Sequence, residues 1–460
     1  MWSRVVMQSR ILFTVFVLTV TGSFSIAAKA QDYEYSAIYQ PYLAQIGVTR
    51  DFQSKVASYI SKSTNASAVN NVGIAILDGK ADASHMDLSG RLTVDPVYMS
   101  GTYLTNDDHA THVSGLAGAS ANGSGIAGVN PNALIFSIPV FDDSGWVAWD
   151  LGEAALSEAK NLGAIAVNMS YGPSTGRGDV FLDGELALFH NYENSMILLR
   201  AAGNTGSNAK NEYYSGNASE DLKNLLIVGS VNSQNKISSF SNRPGDACIA
   251  NISKCSSQNK MKNFFIVAPG EYIYSDLPGN TFGLMSGTSM ATPLVTGAAA
   301  LVYQSAYAGN TILTPAQVVS ILEHSAKDLG TKGVDSVYGW GLLNVKAALS
   351  PVGSNYIATT SNVSSSKKSL GSSVFAPSSL WANRSEVSGL LNGMVVFDSY
   401  GRSFSLKNAK VSPPTSNLIS DANSLLSLAI QKQNNVSTDR QGVRFFESSS
   451  QFSYYGGVSF

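Results

Sequence analysis

The feature that most constrains the fold is a series of short, continuously apolar runs that begins at residue 72 and is interspersed with helical stretches. Runs that are apolar at nearly every residue are typical of strands buried on both faces, as in a parallel sheet covered by helices. We therefore predict an α/β fold, a doubly wound and mostly parallel sheet with helices on both faces, followed by a polar C-terminal extension. The six runs are 72–77, 133–141, 164–170, 195–202, 224–231 and 263–269.

Three helices can be specified further. Helical character is evident over 149–163 and 314–330, and the second stretch opens with a capping box and a proline at its first position. Residues 290–307 are strongly apolar, but Pro293 and many small residues favour a helix buried in the core over one that spans a membrane.

The N-terminal residues have the pattern of an export signal. Arg4 and Arg10 supply positive charge, residues 11–20 are apolar, and a stretch of small residues ends at Ala30. We therefore predict a signal peptide over residues 1–30, cleaved after Ala30. The alternative is an uncleaved membrane anchor, but the apolar run is short and interrupted by polar residues.

The rest of the chain divides by composition. Residues 31–69 are predicted to form an N-terminal arm, too short for a large chaperone domain, and residues 70–350 to form the α/β domain. A serine-rich linker follows over 351–390, and a C-terminal extension over 391–460. Within that region, residues 393–406 have the pattern of a strand, a turn and a strand.

Charge and cysteine content restrict the partners and the compartment. Charged residues make up 13% of the chain and the net charge is −2, so we expect no nucleic-acid partner. Cys248 and Cys255 are the only two cysteines. In an exported protein such a pair predicts a local disulfide. A metal site is the alternative, but no further soft ligands lie nearby.

A nucleophile is predicted at Ser289, which lies among small residues at the start of an apolar helix. Free N–H groups and the positive end of the helix dipole can stabilise an oxyanion there. A serine-rich helix cap is the alternative. Three other residues favour the catalytic interpretation of Ser289 over the helix cap. Asp78 and Asn204 follow buried strands, where open α/β sheets place their sites, and His109 lies between them in the sequence. The order Asp, His, Ser is one of the known orders of a catalytic triad.

Four motifs stand at these positions: GTSMATP (287–293), HATHVSG (109–115), AAGN (201–204) and NMSYGP (168–173). Through them, the chain resembles the subtilisin-like serine peptidases over about residues 70–350. The resemblance implies a subtilisin-like fold and a serine endopeptidase that acts on protein or peptide substrates without a cofactor. Three further segments, FSNRPG, VAPGEYIYS and GVDSVYGWGLLNVKAAL, are similar to the peptidase domains of bacterial autotransporters.

The resemblance implies the role of each catalytic residue. Ser289 attacks the scissile carbonyl, and His109 takes its proton and returns it to the leaving amine. Asp78 fixes the imidazole tautomer, so Asp107 and Asp108 are not the acid of the triad. The Asn204 side-chain amide and the Ser289 backbone N–H hold the oxyanion.

Two places depart from the family pattern. Gly79 and Lys80 follow Asp78 where a hydroxyl residue and a glycine are usual, so one hydrogen bond to the aspartate is expected to be missing. Lys80 can also bring a cation near the Asp–His pair. Ala110 replaces a glycine, which is tolerable if its φ is negative.

The resemblance also implies a substrate groove. An extended peptide is expected to pair with the backbone of residues 170–172 by β-augmentation and to face residues 143–146. The residue at the cut is expected to lie against the backbone of residues 201–203. Trp146 replaces a small residue, and either narrows the groove or packs under a loop. The predicted substrate-binding residues are Ser170, Tyr171, Gly172, Gly145, Trp146, Ala202 and Gly203.

Alternatives come from other classes of function. A catalytically weak binding or adhesin passenger on the same fold would typically have lost one of the four chemical positions, and all four are present. A metal site at His109 and His112 lacks a third ligand at helical spacing. Calcium stabilises many members of the family, but no loop has a ligand pattern that assigns it, so we predict no metal.

The resemblance to autotransporter domains implies a periplasmic, cell-surface or secreted protein, with the outer membrane contacted through the C-terminal region. Residues 354–460 lack regular ten-residue strands of alternating hydrophobicity. We therefore predict that a membrane barrel is absent from this chain or truncated in it.

Overall fold

The computed structural model describes residues 40–64, 69, 71–95, 105–141, 149–173, 178–214, 222–251, 255–358 and 395–405, together with short strands within 367–447. The predicted signal peptide lies outside these residues. The α-helices are α1 (Pro41–Gln45), α2 (Arg50–Ser61), α3 (Asp108–Gly118), α4 (Trp149–Asn161), α5 (Glu185–Phe189), α6 (Thr288–Ala308), α7 (Pro315–Ser325) and α8 (Val345–Ala348).

The strands are β1 (Gly73–Asp78), β2 (Leu92–Val94), β3 (Leu134–Pro139), β4 (Ala164–Met169), β5 (Ile197–Ala201), β6 (Glu212–Tyr214), β7 (Leu225–Val231), β8 (Ile249–Asn251), β9 (Phe265–Pro269), β10 (Ile273–Leu277), β11 (Thr281–Met285), β12 (Tyr356–Ala358), β13 (Lys367–Ser369), β14 (Ser373–Pro377), β15 (Val395–Phe397), β16 (Ser403–Ser405), β17 (Ser437–Thr438) and β18 (Val443–Glu447).

Seven of these strands form one parallel sheet in the order β2-β3-β1-β4-β5-β7-β9. The six predicted runs correspond to β1, β3, β4, β5, β7 and β9, and β2 adds a short strand at one edge. Every residue of β1, β5, β7 and β9 is buried, which explains why their sequences are continuously apolar. The predicted α/β fold is therefore confirmed.

The strand order creates a crevice between β1 and β4. These strands are neighbours, but the chain leaves β1 toward the β3 and β2 side and leaves β4 toward the β5 side. Ligands of open α/β sheets bind where such neighbouring connections diverge, beyond the carboxyl ends of the strands. In this chain the residues at that position are Asp78 and Ser170.

The longest helix, α6, is the central helix of the core. It packs against β4, β5, β7 and α3, and nearly all of its residues are buried. A helix that is apolar on all sides is expected only where it is surrounded by other elements. The interpretation of 290–307 as a buried core helix agrees with this packing. Among the described residues, no helix has both the length and the apolarity required to cross a membrane.

Helix α7 begins as its sequence predicts. The Thr314 side chain accepts a hydrogen bond from Gln317 N, and the Gln317 side chain accepts one from Thr314 N. The helix ends at Ser325, earlier than the predicted residue 330. The reason is that Lys327 leaves the helix to exchange two backbone hydrogen bonds with Leu342, at 2.8 and 2.9 Å.

The segments on either side of the α/β domain pack against it. Phe52 and Val56 of α2 are buried in the core, within the predicted N-terminal arm. On the C-terminal side, β15 and β16 form an antiparallel pair at the predicted strand, turn and strand, and β12 pairs with β15. Val396 of this hairpin is 1% exposed, and Tyr400 of its turn packs against the hydrophobic core.

Candidate active site

Three neighbouring strands end at the crevice, and each has a predicted site residue at its carboxyl end or just beyond it. Asp78 is the last residue of β1, Ser170 directly follows β4, and Asn204 lies three residues beyond β5. His109 lies near the start of α3 and Ser289 near the start of α6, and these two helices pack against each other. The parallel sheet and the α3–α6 pair thus bring five segments of the chain together.

Asp78 and His109 are hydrogen-bonded. His109 Nδ1 lies 2.9 Å from Asp78 Oδ1, which also accepts a hydrogen bond from Gly79 N at 2.8 Å. Because an ionised carboxylate can only accept, Nδ1 carries the proton, and Nε2 is left as the basic nitrogen of the neutral ring. The Asp78 side chain is fully buried, whereas that of His109 is 23% exposed and can be reached from solvent.

The second Asp78 oxygen has an unusual environment. Asp78 Oδ2 is buried and has no hydrogen-bond partner among the described residues. This agrees with the expectation that glycine at position 79 removes a supporting hydroxyl. The space beside Gly79 is instead occupied by Asp107: a Cβ added to Gly79 would lie 2.9 Å from Asp107 Cβ. A side chain at position 79 would therefore displace that carboxylate.

The charges around His109 favour its protonated form. Burial alone would lower the pKa of His109, but the charge and hydrogen bond of Asp78 and the charge of Asp107 together raise it. Ligand atoms of Asp78, Asp107 and His109 all lie within 4.8 Å of one another. Asp107 was not predicted as a site residue. Its only signal is its place before α3, where Asp107 Oδ1 caps the helix by accepting from Ala110 N.

Helix α3 accommodates alanine at position 110, where the family pattern has glycine. Ala110 is fully buried, and it is not among the described residues with positive φ. His112 lies one turn beyond His109 and takes no part in the Asp78–Asp107–His109 group. His112 Nε2 lies 3.0 Å from Ile273 O and 3.2 Å from Gly283 O, so the ring ties α3 to β10 and β11.

His112 is also unsuited to act as a base. Burial, together with the nearby His109, lowers the pKa of His112 to about 3. Its ring is therefore neutral at ordinary pH, and Nε2, the nitrogen that faces two carbonyl oxygens, must carry the hydrogen. The prediction of a packing role for His112, rather than a metal-binding one, is consistent with this environment.

Ser289 and Ser170 hold each other through a reciprocal pair of hydrogen bonds. Ser289 Oγ donates to Ser170 O, and Ser170 Oγ donates to Ser289 O, both at 3.0 Å. Pro293 has no N–H and cannot bond the carbonyl four residues before it, so the Ser289 carbonyl is free to accept from Ser170. The proline of the GTSMATP motif thus contributes to the position of the nucleophile segment.

Asn204 is oriented by the first residue of α6. Asn204 Oδ1 accepts hydrogen bonds from Thr288 N at 2.8 Å and from Thr288 Oγ1 at 3.0 Å. Its amide nitrogen is therefore directed away from Thr288. A Cβ added to Gly287 would lie 3.5 Å from Asn204 Nδ2 and 3.6 Å from Ser289 N. The two nitrogen atoms thus lie at nearly the same distance from one point next to Gly287.

The described part of the chain includes five of the seven predicted substrate-binding residues. Tyr171 and Gly172 continue from Ser170 past the end of β4, and Gly203 N donates to Thr288 Oγ1 at 3.2 Å. Ala202 is fully buried. Gly145 and Trp146 lie outside the described residues, so both interpretations of Trp146 stay predictions.

A buried ion pair lies beneath the Tyr171 segment and was not predicted. Arg200 of β5 is fully buried, and its guanidinium bonds Glu185 Oε2 at 2.9 Å and donates to the Tyr171 carbonyl. Its Cζ also lies 4.3 Å from the centre of the Tyr171 ring. The available signal was the arginine itself, because a charge within a continuously apolar strand must be paired.

The predicted disulfide is present. Cys248 and Cys255 are joined, with their Cα atoms 5.7 Å apart. The bonded loop includes β8, which pairs in parallel with β6. The Cys248 N–H also donates to Asn211 Oδ1 at 2.9 Å, so this loop is tied to the chain just before β6.

Together, a parallel α/β sheet, a buried Asp–His pair and a serine at the N-terminus of the core helix define a serine-type hydrolase. The model of the subtilase family, which is a family of peptidases, matches residues 69–341. The chain belongs to the subtilase family, and it is a serine-type endopeptidase.

Individual relatives agree with this assignment. Subtilisin from Bacillus pumilus is 33% identical over 282 residues, covering 61% of this chain and 91% of that protein. Subtilisin E from Bacillus subtilis (strain 168) is 33% identical over 282 residues, covering 61% and 66%. Thermitase from Thermoactinomyces vulgaris is 33% identical over 233 residues, covering 50% and 73%.

Proposed function

We propose that the chain is an exported endopeptidase that cleaves peptide bonds through an acyl-enzyme on Ser289. The observation that carries this proposal is the hydrogen bond between buried Asp78 and His109. By holding Nδ1–H, the carboxylate leaves Nε2 as the nitrogen that can take a proton from a serine hydroxyl. Asp78 would also stabilise the imidazolium that forms when this proton is transferred.

In the acylation step, Ser289 Oγ attacks the substrate carbonyl carbon while its proton moves to His109 Nε2. The C–N bond then breaks, and the leaving amine takes that proton. A water molecule repeats the sequence on the ester and releases the acid. To reach His109, Ser289 Oγ must give up its hydrogen bond to Ser170 O, which then becomes free to accept an N–H of the bound peptide.

The negative charge that develops on the carbonyl oxygen needs fixed donors. Asn204 Nδ2 and the Ser289 N–H would supply them, because both nitrogens lie close to the space beside Gly287, which has no side chain of its own. Donors already oriented before the reaction cost no reorganisation in the transition state. Thr288 fulfils this condition by holding the other end of the Asn204 amide.

A fluorophosphonate probe tests the assignment of the nucleophile. We expect the folded protein to be labelled at Ser289 and Ser289→Ala to be unlabelled. Ser305→Ala is the matched control, because Ser305 lies on the same helix, far from its N-terminus, and its loss should leave labelling unchanged. Equal labelling of the Ser289→Ala variant, or no labelling of the folded parent, would contradict the proposal.

The substrate class can be defined with the same variants. A peptide library should be cleaved by the parent and by Ser305→Ala, and the preferences of these two should agree. Any cleavage pattern that persists in Ser289→Ala would belong to another enzyme. Extended peptides are the expected substrates, because Ser170, Tyr171 and Gly172 are proposed to pair with them by β-augmentation.

We infer export from the signal-like N-terminus and from the disulfide, a bond typical of oxidising compartments. The mass of the mature protein from its native host should correspond to a chain that begins at Gln31. Retention of residues 1–30 would contradict cleavage. Contact of the C-terminal region with an outer membrane stays a prediction, and membrane fractionation of the same cells tests it.

A further inference from the structure

The FSNRPG segment (240–245) lies against the loop that follows β5, and this loop (202–207) carries Asn204. The contact is made by the backbones of both segments. The hydrogen bonds run from Gly206 N to Phe240 O at 2.6 Å, from Asn242 N to Gly203 O at 2.9 Å and from Arg243 N to Ser207 O at 2.9 Å. The loop is therefore held on both sides of the proposed oxyanion donor.

The Asn242 side chain makes four further hydrogen bonds to the same loop. Its Nδ2 donates to Ala202 O at 2.9 Å. Its Oδ1 accepts from Thr205 N at 3.1 Å, from Thr205 Oγ1 at 2.7 Å and from Ser207 N at 3.2 Å. The two amide atoms are assigned by these partners, because a carbonyl only accepts and an N–H only donates. One side chain thus spans the loop from two residues before Asn204 to three residues beyond it.

Burial makes this arrangement specific for asparagine. Asn242 is 1% exposed, so its bonds to the loop are shielded from water. A side chain at position 242 without both an acceptor and a donor would leave buried polar groups of the loop unpaired, which is costly. The approach is also close: Gly203 has a φ of +98°, and a Cβ there would lie 2.5 Å from Asn242 Nδ2.

Asn204 is therefore held at two levels. Thr288 orients its side-chain amide through Oδ1, whereas Asn242 fixes the backbone from which that side chain extends. Loops are usually more mobile than the strands that they follow. A side-chain donor on a loop can be no more precisely placed than the loop itself, so both levels are needed for a fixed position of Asn204 Nδ2.

We propose that Asn242 is a positioning residue of the peptidase, which holds residues 202–207 so that Asn204 Nδ2 meets the developing oxyanion. This inference rests on the proposed function of Asn204 as an oxyanion donor. Asn242 is buried and acts through the loop, without contact to the substrate. Donors that are fixed in advance cost no reorganisation in the transition state, and a displacement of about 1 Å can cost about 100-fold in rate.

Asn242→Ala tests the proposal in the full-length enzyme, with an extended peptide taken from the cleavage library as substrate. We expect kcat to fall by about 10- to 100-fold, because the donor is displaced from the oxyanion. KM should change by less than about 2-fold, because the interaction is made chiefly in the transition state. A rise in KM with kcat unchanged would overturn the proposal.

A double-mutant cycle shows whether Asn242 acts through Asn204. In the Asn204→Ala background, Asn242→Ala should have little further effect on kcat, because the donor that it positions is already absent. Equal fold losses in both backgrounds would mean independent effects and would overturn the positioning role alone, provided that the parent is labelled at Ser289 by the fluorophosphonate probe. An unlabelled parent would overturn the proposed function and this inference together.

Thr205→Val is a milder variant for the case that Asn242→Ala folds poorly. It keeps the shape of the side chain and the Thr205 N–H, but it removes the hydrogen bond from Thr205 Oγ1 to Asn242. We expect kcat to fall by about 2- to 10-fold, which corresponds to the loss of one hydrogen bond. An unchanged kcat in Thr205→Val would contradict the positioning role.

Asn224→Ala is the matched control for a general loss of stability. Asn224 is also a fully buried asparagine, and its Nδ2 donates to Met196 O at 2.8 Å and to Tyr192 O at 3.3 Å, at the opposite end of β5. At a temperature where all variants are folded, Asn224→Ala should retain the kcat of the parent. A loss as large as that in Asn242→Ala would show that destabilisation alone is the cause.

Discussion

Asp107 gives the proposed catalytic histidine a second carboxylate neighbour. It is not bonded to the imidazole, but it lies against Gly79 and its charge raises the pKa of His109 together with that of Asp78. The general base must be neutral to accept a proton from Ser289. Activity should therefore be full above the pKa of His109 and be lost as the pH falls through it.

Asp107→Asn tests this electrostatic contribution. Asparagine keeps the helix cap, so the fold is expected to persist, while the lost charge should lower the pKa of His109. The acid limb of the kcat/KM profile should therefore move to lower pH. Asp108→Asn is the control, because it makes the same change of charge at the neighbouring residue. It should leave the acid limb of the kcat/KM profile unchanged. An acid limb unmoved by Asp107→Asn would contradict this role.

The orientation of Asn204 leads to a second prediction at a single residue. Asn204→Ala should lower kcat and kcat/KM with little change in KM, because its donor is needed chiefly in the transition state. The expected loss is about 100- to 1,000-fold, a magnitude carried over from the corresponding asparagine of subtilisin. A variant that changed KM alone would show that Asn204 binds the ground state instead.

At the scale of elements, the pair of Arg200 and Glu185 links β5 to α5 beneath the proposed substrate segment. Burial outweighs the attraction of Arg200 and raises the pKa of Glu185, so this charge depends strongly on its partner. The guanidinium also bonds the Tyr171 carbonyl and packs on its ring. The pair therefore connects a strand, a helix and the segment after β4.

Arg200→Met should destabilise the fold by about 3–5 kcal/mol, because it leaves the buried Glu185 without its charged partner. The double variant Arg200→Met, Glu185→Leu should recover much of that loss, since an apolar replacement removes the unpaired charge as well. Thermal unfolding of both variants in the inactive Ser289→Ala background measures the difference. A double variant as unstable as the single one would show that packing, and not charge, dominates.

At the scale of the whole molecule, several hydrogen bonds fasten the C-terminal hairpin of β15 and β16 to the α/β domain, among them those of Tyr400 with Ser320, of Gly401 O with Thr311, and of Arg402. Arg402 Nη1 donates to Ala348 O at 2.6 Å and Nη2 to Ser350 O at 3.0 Å, while Nε bonds Asp398 Oδ2 at 2.9 Å. The hairpin thus belongs to the same structure as the domain, although a serine-rich sequence separates the two.

Arg402→Met should release this hairpin while the central sheet stays folded. Amide hydrogen exchange in residues 395–405 should become faster by about 100-fold or more, since breaking a buried ion pair costs about 3–5 kcal/mol. Lys346→Met removes an exposed positive charge nearby and should leave exchange in the hairpin unchanged. Equal protection of the hairpin in both variants would show that its apolar contacts are sufficient.

The elements and the site differ in how far the sequence predicts them. The strands were predicted because burial on both faces imposes a run of apolar residues, which is a local signal. The end of α7 was misplaced because Lys327 leaves the helix to pair with Leu342, a contact that helical periodicity does not contain. The positions of Asp78, His109, Asn204 and Ser289 followed from motifs beside strand and helix ends, which are also local.

By itself, the sequence determined the parallel α/β sheet, the buried core helix, the disulfide and the residues of the candidate site. The tertiary structure alone decided which charges meet: Asp107 beside Gly79, Arg200 beneath Tyr171, and Asp276 against Asp87, where burial and the facing carboxylate raise the pKa of Asp276 to about 9. The physical reason is the distance along the chain over which each kind of interaction acts. Backbone hydrogen bonding and apolar periodicity are properties of neighbouring residues, whereas the electrostatics of a buried side chain depends on distances across the fold.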